Sequence, residues 1–257
     1  AESLSGLGFW PSTCLDCFGG SGTTALTSQF LGIKSTTIEV NPFLADLVES
    51  KLATYDHQSL VDDYAEVVKK MSSRSASLRS IRHEPWPTTM VEPGLKGRWI
   101  FPRETFRRIL TVREAIEEVA SPVNQRLLRI LLGSILVDMS NVVISGKGRR
   151  YRSNWNSTQK SPHDVVEAFK SAFQVALFDI AAHGARACQS YTLLRGDSRI
   201  EVEKVVPVDV CLFSPPYPNS FDYTDIYNVE LWVLGYLKSK ADNTKLRIST
   251  MRSHVQI

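Results

Sequence analysis

No stretch of this 257-residue chain approaches the ~18 uninterrupted apolar residues that a membrane-crossing helix needs, so no membrane association is expected. The opening residues, AESLSGLGFW, lack the basic start and apolar run of a secretory signal. A cytoplasmic protein of a bacterial or archaeal cell is the resulting expectation. Cysteine is scarce, and four in a chain of this length do not make a disulfide scaffold. Cys14 and Cys17 have CxxC spacing, but no second CxxC or paired histidines accompany them, so both are read as inert and no metal site is expected. An excess of one charge is also missing: 30 basic against 27 acidic residues leave +3, too little to name a partner. Internal repeats and long low-complexity tracts are absent.

What is present is an alternation of strand and helix signals at the two ends of the chain. Residues 12–15 read as a short strand leading into Asp16-Cys17-Phe18-Gly19-Gly20-Ser21-Gly22-Thr23-Thr24, and residues 25–31 then look helical. Gly32 takes the position favoured by a C-terminal cap, and residues 35–40 (STTIEV) are rich in β-branched residues. This second strand ends in Glu39 and the turn signal Asn41-Pro42, before a helical pattern over 43–52. Together these make a βαβ unit, the opening of a parallel, helix-covered sheet of the α/β class. The rhythm returns at 191–194, a strand ending in Gly196-Asp197, and at 208–213, followed by a helix over 223–237.

Between them the pattern is mostly helical. Phe106, Ile109, Leu110 and Val112 precede the proline at 122, and Leu127, Leu128, Ile130, Leu131, Leu132, Ile135 and Leu136 follow it. A further helix over 162–183 starts at Ser161 and Pro162 and carries Val165, Val166, Phe169, Phe173, Val175 and Leu177. The division expected is residues 1–52 and 188–257 as one domain and residues 53–187 as an insertion.

The stretch VCLFSPPYP asks for an explanation, because proline lacks the donor a sheet ladder needs and an apolar, buried strand must stop at Pro215. Parallel sheets bind ligands at the carboxyl ends of their strands, and four signals fall there: the glycine loop, Glu39, Asp197, and the turn at Ser214, Pro215, Pro216 and Tyr217. Glycines let backbone approach a ligand, and a strand-end acid can accept hydrogen bonds from ribose hydroxyls, so the pattern reads as a nucleoside site.

DCFGGSGTT and SPPY together resemble the paired motifs of the S-adenosylmethionine-dependent amino-methyltransferases of DNA, with Cys17 where that family commonly has proline. The likeness covers residues 12–52 and 190–237, about half the chain. It implies a Rossmann-like methyltransferase fold with a mostly parallel sheet, incomplete in this chain because the family's sheet has more strands than are evident here. It also implies that Asp16, Phe18, Gly20, Ser21 and Gly22 hold the methionine part of S-adenosylmethionine, Glu39 the ribose and Asp197 the adenine edge. Ser214, Pro215, Pro216 and Tyr217 would be the catalytic turn. Serine in its first position favours the N4 amine of cytosine over the N6 amine of adenine, with RNA or protein glutamine as more distant substrates.

An exocyclic amine is a poor nucleophile while its lone pair is delocalised into the ring. Acceptors at the Ser214 hydroxyl and a carbonyl of the stiff Ser-Pro-Pro turn would let the nitrogen pyramidalise, and Tyr217 would stack on a flipped base. The chain contains no Pro-Cys pair, which disfavours methylation at cytosine C5, and its five histidines match no deaminase pattern. For contact with double-stranded DNA the insertion offers Lys147, Arg149, Arg150 and Arg152, interleaved with Tyr151 and Trp155. Asn219, Asp222, Tyr223 and Asp225 would shape the base pocket or cap a helix. A noncatalytic DNA-binding subunit, or a fold completed by a second subunit or second copy, is the competing expectation.

Overall fold

The computed structural model describes residue 4 and residues 6–76, 86–145, 148–216 and 223–250. The chain opens with β1 (Thr13–Asp16), α1 (Thr23–Phe30), β2 (Lys34–Glu39) and α2 (Pro42–Leu52). β1 and β2 are parallel, with Thr13 opposite Lys34 and Asp16 opposite Thr37. Gly32 ends α1 in the left-handed region at φ 75°, where a side chain would be strained, and the chain turns back into β2. Asn41 caps α2, its side-chain oxygen accepting from the Phe43 and Leu44 amides, while Pro42 occupies the first turn, where no donor is needed. The βαβ unit thus forms for the local reasons its sequence carries.

The insertion follows as α3 (His57–Ser73), α4 (Arg103–Glu117), α5 (Pro122–Ile135), β3 (Val142–Ser145), β4 (Gly148–Tyr151) and α6 (Pro162–His183). Ser121 and Ser161 cap α5 and α6, the latter through a reciprocal box with Asp164. The stripes on α4 and α5 are buried as expected, with Phe106, Ile109, Leu110 and Leu128 fully enclosed. α6 departs from its pattern: Phe169 and Phe173 are buried, the latter stacked on Tyr64 of α3 at 3.7 Å, but Val175 is 62% exposed. β3 and β4 form an antiparallel hairpin where only a basic loop is legible in the sequence.

The chain then returns as β5 (Tyr191–Arg195), α7 (Ser198–Glu201), β6 (Val210–Cys211), α8 (Tyr223–Ile226), α9 (Asn228–Val233) and α10 (Lys240–Ser249). The sheet is all-parallel, in the order β5-β2-β1-β6. The protein is therefore α/β, with the helical insertion between the second and third strands of the sheet. β6 corrects one expectation. It is an edge strand of two residues rather than a buried one, and Leu212 and Phe213 are 41% and 49% exposed. The helix expected over 223–237 is broken at Tyr227, whose ψ of 15° lies outside the helical range.

The largest hydrophobic core joins Phe43 and Leu44 of α2, the helices of the insertion, and Val229, Leu231 and Trp232 of α9. The insertion and the segment after the Ser-Pro-Pro turn thus share one interior. Arg113 of α4 and Arg129 of α5 reinforce this by donating to the carbonyls of Val233 and Leu234 at the C-terminal end of α9. Cations there meet both unsatisfied carbonyls and the negative end of the helix dipole. Among the described residues no helix is long and apolar enough to cross a membrane.

Candidate functional site

The loop after β1 is built by its own polar groups. Asp16 is buried, and its Oδ1 accepts from the Phe18 amide at 2.9 Å. The Gly19 amide donates to the Ile38 carbonyl at 2.9 Å, drawing the loop over the end of β2. A Cβ on Gly19 would lie 2.4 Å from Thr37 Cγ2, so only glycine passes there. Gly20 and Gly22 adopt φ of 52° and 80°, in the left-handed region.

Glu39 ties this loop to β2. Its Oε2 accepts from the Gly20 amide and its Oε1 from the Asn41 amide, both at 2.7 Å. The side chain is buried, and burial pushes its carboxyl up to about 7, against the backbone donors at Asn41, Gly20 and Val40 that favour the anion. An acid whose charge burial opposes and backbone donors favour thus stands at the strand end.

The Ser-Pro-Pro turn reaches the same place from β6. Asp209, just before that strand, accepts from the Ser12 amide and hydroxyl at 2.7 and 2.6 Å and from the Thr13 amide at 3.0 Å. This clamp aligns the starts of β6 and β1, and the Leu212 amide continues the pairing to Leu15 O at 2.9 Å. At the far end the Phe18 and Phe213 rings lie 5.7 Å apart. A pocket of about 230 Å³ opens between the two loops, lined by Phe18, Gly20, Glu39, Ser214, Pro215 and Pro216 among others. It is a cleft with largely apolar walls whose lining includes the buried acid Glu39 and the hydroxyl-bearing Ser214 beside two prolines. No protein-family model, curated protein or solved structure matches the chain significantly.

The other expected site residues divide. Asp16 and Gly22 shape the loop without lining the cleft, and Ser21 is exposed, with its hydroxyl 3.4 Å from that of Thr23. Asp197 lines an adjoining pocket of about 320 Å³, which shares Glu39, Val40, Gly196, Leu246 and Ser249 with the first. Its carboxylate caps α7 through the Arg199 amide at 3.0 Å and also accepts from the Arg199 guanidinium, which holds it below the usual carboxylate range. Tyr217, Asn219 and Asp222 lie outside the described residues, as does Lys147.

The basic segment is not one uniform surface. Arg152 turns inward, its Nε and Nη2 donating to the Ser140 and Val137 carbonyls at 3.3 and 3.2 Å. Arg149 lies 3.8 Å from Asp225, whereas Arg150 is exposed. Tyr151 and Trp155 pack on each other at 5.5 Å, and Trp155 meets Trp99 edge-on at 4.9 Å. These rings make a cluster among themselves.

Several cleft residues are not legible as such in the sequence. Thr224 and Tyr227 contribute from the α8 side, and Leu246, Ser249 and Thr250 from α10. α10 does carry a signal, Ser239 followed three residues later by Asp242, whose amide donates to the serine hydroxyl at 3.1 Å. Nothing in the sequence says that this helix folds over the strand ends.

Proposed function

We propose that this chain is the catalytic part of an S-adenosylmethionine-dependent DNA amino-methyltransferase with a Rossmann-like fold, acting on the N4 amine of cytosine. The observation that carries this reading is the single cleft shared by the glycine loop, Glu39 and Ser214-Pro215-Pro216. The residues fit the cofactor. Gly20 leaves room at the wall, since a Cβ there would meet only Phe18 O, at 3.8 Å. Glu39 offers a carboxylate to a ribose diol, and Phe18, Ile38 and Leu44 offer apolar surface. Asp197, which lines the adjoining pocket, would accept from an adenine amine once Arg199 yields. S-adenosylmethionine supplies an electrophilic methyl group when bound.

The chain's own part in the chemistry is to prepare the nucleophile. The Ser214 hydroxyl oxygen and a carbonyl of the turn accept from the target NH₂, which frees the nitrogen lone pair. Two consecutive prolines keep these acceptors from reorganising as charge develops. No cysteine nucleophile is required: burial pushes the Cys17 thiol, which lines the cleft, up to about 11, so it stays protonated at neutral pH. Transfer is direct, and the amine proton leaves to solvent.

The decisive experiment is mass spectrometry of nucleosides from duplex DNA incubated with the protein and S-adenosylmethionine. N4-methylcytosine supports the reading, N6-methyladenine moves it to the adenine branch, and no methylated nucleoside removes it. Ser214→Ala should lower transfer by about 10²–10³-fold while leaving binding of S-adenosylhomocysteine intact. One observation favours a second reading, a subunit whose sheet is completed by another chain: β6 is an edge strand with exposed Leu212 and Phe213. Cofactor binding without transfer, restored by a second polypeptide, would support it.

A further inference from the structure

β4 separates two arginines that stand side by side in the sequence. Successive side chains of a strand leave on opposite faces, so Arg149 and Tyr151 share one face and Arg150 takes the other. The Arg149 side chain is only 24% exposed, and its Nη2 lies 3.8 Å from Asp225 Oδ1. Gly148, at φ 92°, brings the strand close to the same helix, since a Cβ there would stand 3.5 Å from Asp225 Oδ2. Glu230 of α9 also feels the charge of this arginine. It is buried, its Oε2 has no hydrogen-bond partner among the described residues, and the charge of Arg149 opposes the rise that burial imposes on its carboxyl.

Arg149 therefore pairs with a carboxylate of α8, and its charge favours the ionised form of the buried acid on α9. Flanking Asp225 in the chain are Thr224 and, two residues on, Tyr227, and both line the cleft that contains Ser214. A guanidinium that turned outward to a phosphate would give up its pairing with Asp225 and withdraw the charge that favours the ionised form of Glu230. Arg150 is exposed and makes no ion pair among the described residues.

We propose that Arg149 is a positioning residue: through Asp225 it holds the cleft wall formed by Thr224 and Tyr227 against the Ser214 turn, while Arg150, on the opposite face of β4, meets the polynucleotide. This deepens the methyl-transfer reading and rests on it. The hairpin thus divides its labour between the inside and the outside of the fold.

The test compares Arg149→Lys, Arg149→Met, the double variant Arg149→Met with Glu230→Gln, and Arg150→Ala. The double variant removes the buried acid along with its counter-charge, which keeps the fold available if Arg149→Met alone does not fold. In the Arg149→Met and double variants, kcat for methyl transfer to duplex DNA should fall roughly tenfold to a hundredfold, the scale of a slightly misplaced wall, with the Kd for DNA within about twofold. Arg149→Lys should recover part of the loss. Arg150→Ala should weaken DNA binding and reduce its salt slope by about 0.9.

A raised DNA Kd and an unchanged kcat in the Arg149 variants would overturn the inference and return that residue to the phosphate contacts. If the wild-type protein transfers no methyl group to DNA, the reading of function fails. The positioning claim is then judged by hydrogen exchange alone: faster exchange over residues 223–227 in the double variant sustains it, and unchanged exchange overturns it.

Discussion

The carboxylate of Glu39 receives the Gly20 amide at 2.7 Å, so the acid at the end of β2 and the backbone of the glycine loop form one unit. This contact fixes the loop above the strand and buries the acid that fixes it. The group's pKa near 7 follows from that burial, and it sets a pH dependence whose sign can be worked out.

Because Glu39 binds its proton more tightly in the folded state, its contribution to stability is greatest below about pH 4.5. It declines as pH rises to about 7, on the order of 1.4 kcal/mol per pH unit across that window. Glu230, also pushed up to about 7 by burial, acts in the same direction. Glu39→Gln and Glu230→Gln should each flatten the fall in Tm between pH 5 and pH 7. A ribose diol donates to the anion, so S-adenosylhomocysteine should bind more tightly as pH passes 7, and Glu39→Gln should abolish that rise. Calorimetric titration across pH 6 to 8 measures it.

Gly22→Ala tests the loop itself. Its φ of 80° is in the left-handed region, and a Cβ there would stand 3.0 Å from Val48 Cγ2, within the buried cluster of Ala25, Val48 and Leu52. The backbone conformation alone costs about 1–2 kcal/mol for a residue with a side chain. Urea unfolding should show at least that loss, with the m-value unchanged because the surface exposed on unfolding is the same.

The parts legible in the sequence are those whose causes are local. Asn41-Pro42 announces α2, Ser161-Pro162 announces α6, and the β-branched run before Glu39 announces β2, because each rests on caps or dihedral preferences within a few residues. α3 was legible in principle, since Asp56 caps it through the Ser59 amide and Leu60, Tyr64, Val67 and Met71 recur at helical spacing. What could not be read is set by contacts distant in sequence. Arg152 faces carbonyls that another segment brings beneath it, and α10 lines the cleft although none of its own residues is buried. Arg149 and Arg150 read alike as letters and differ only because β4 pairs with β3, which turns one inward and the other out.

Asp209 is a positioning group with no motif to mark it. It accepts from Ser12 and Thr13, which holds its carboxyl down to about 2, so the clamp is complete above about pH 4 and loosens as pH falls toward 2. Asp209→Ala should release the start of β6 from β1. Hydrogen exchange should quicken at the Ser12 and Thr13 amides and at Leu212, and methyl transfer should fall because the Ser214 turn is carried on this strand. Exchange that stays at wild-type rates at all three amides would remove the clamp from the account of the site.

Arg199 occupies the carboxylate assigned here to the adenine edge. It donates to both oxygens of Asp197 and, at 3.4 Å, to the Ile248 carbonyl at the end of α10, so one guanidinium links the adjoining pocket to the helix that lines it. More than half of the Arg199 side chain is exposed, and exposed ion pairs are worth about 0.2–1 kcal/mol, so the competition it offers a nucleoside is mild. Arg199→Ala leaves Asp197 its cap on α7 and frees the remaining acceptor positions. S-adenosylhomocysteine should then bind about twofold to fivefold more tightly, with little change for a ligand lacking the adenine amine. Equal gains for both ligands would mean that Arg199 acts through α10 alone, by loosening the helix over the cleft, and the role of Asp197 as the adenine acceptor would have to be given up.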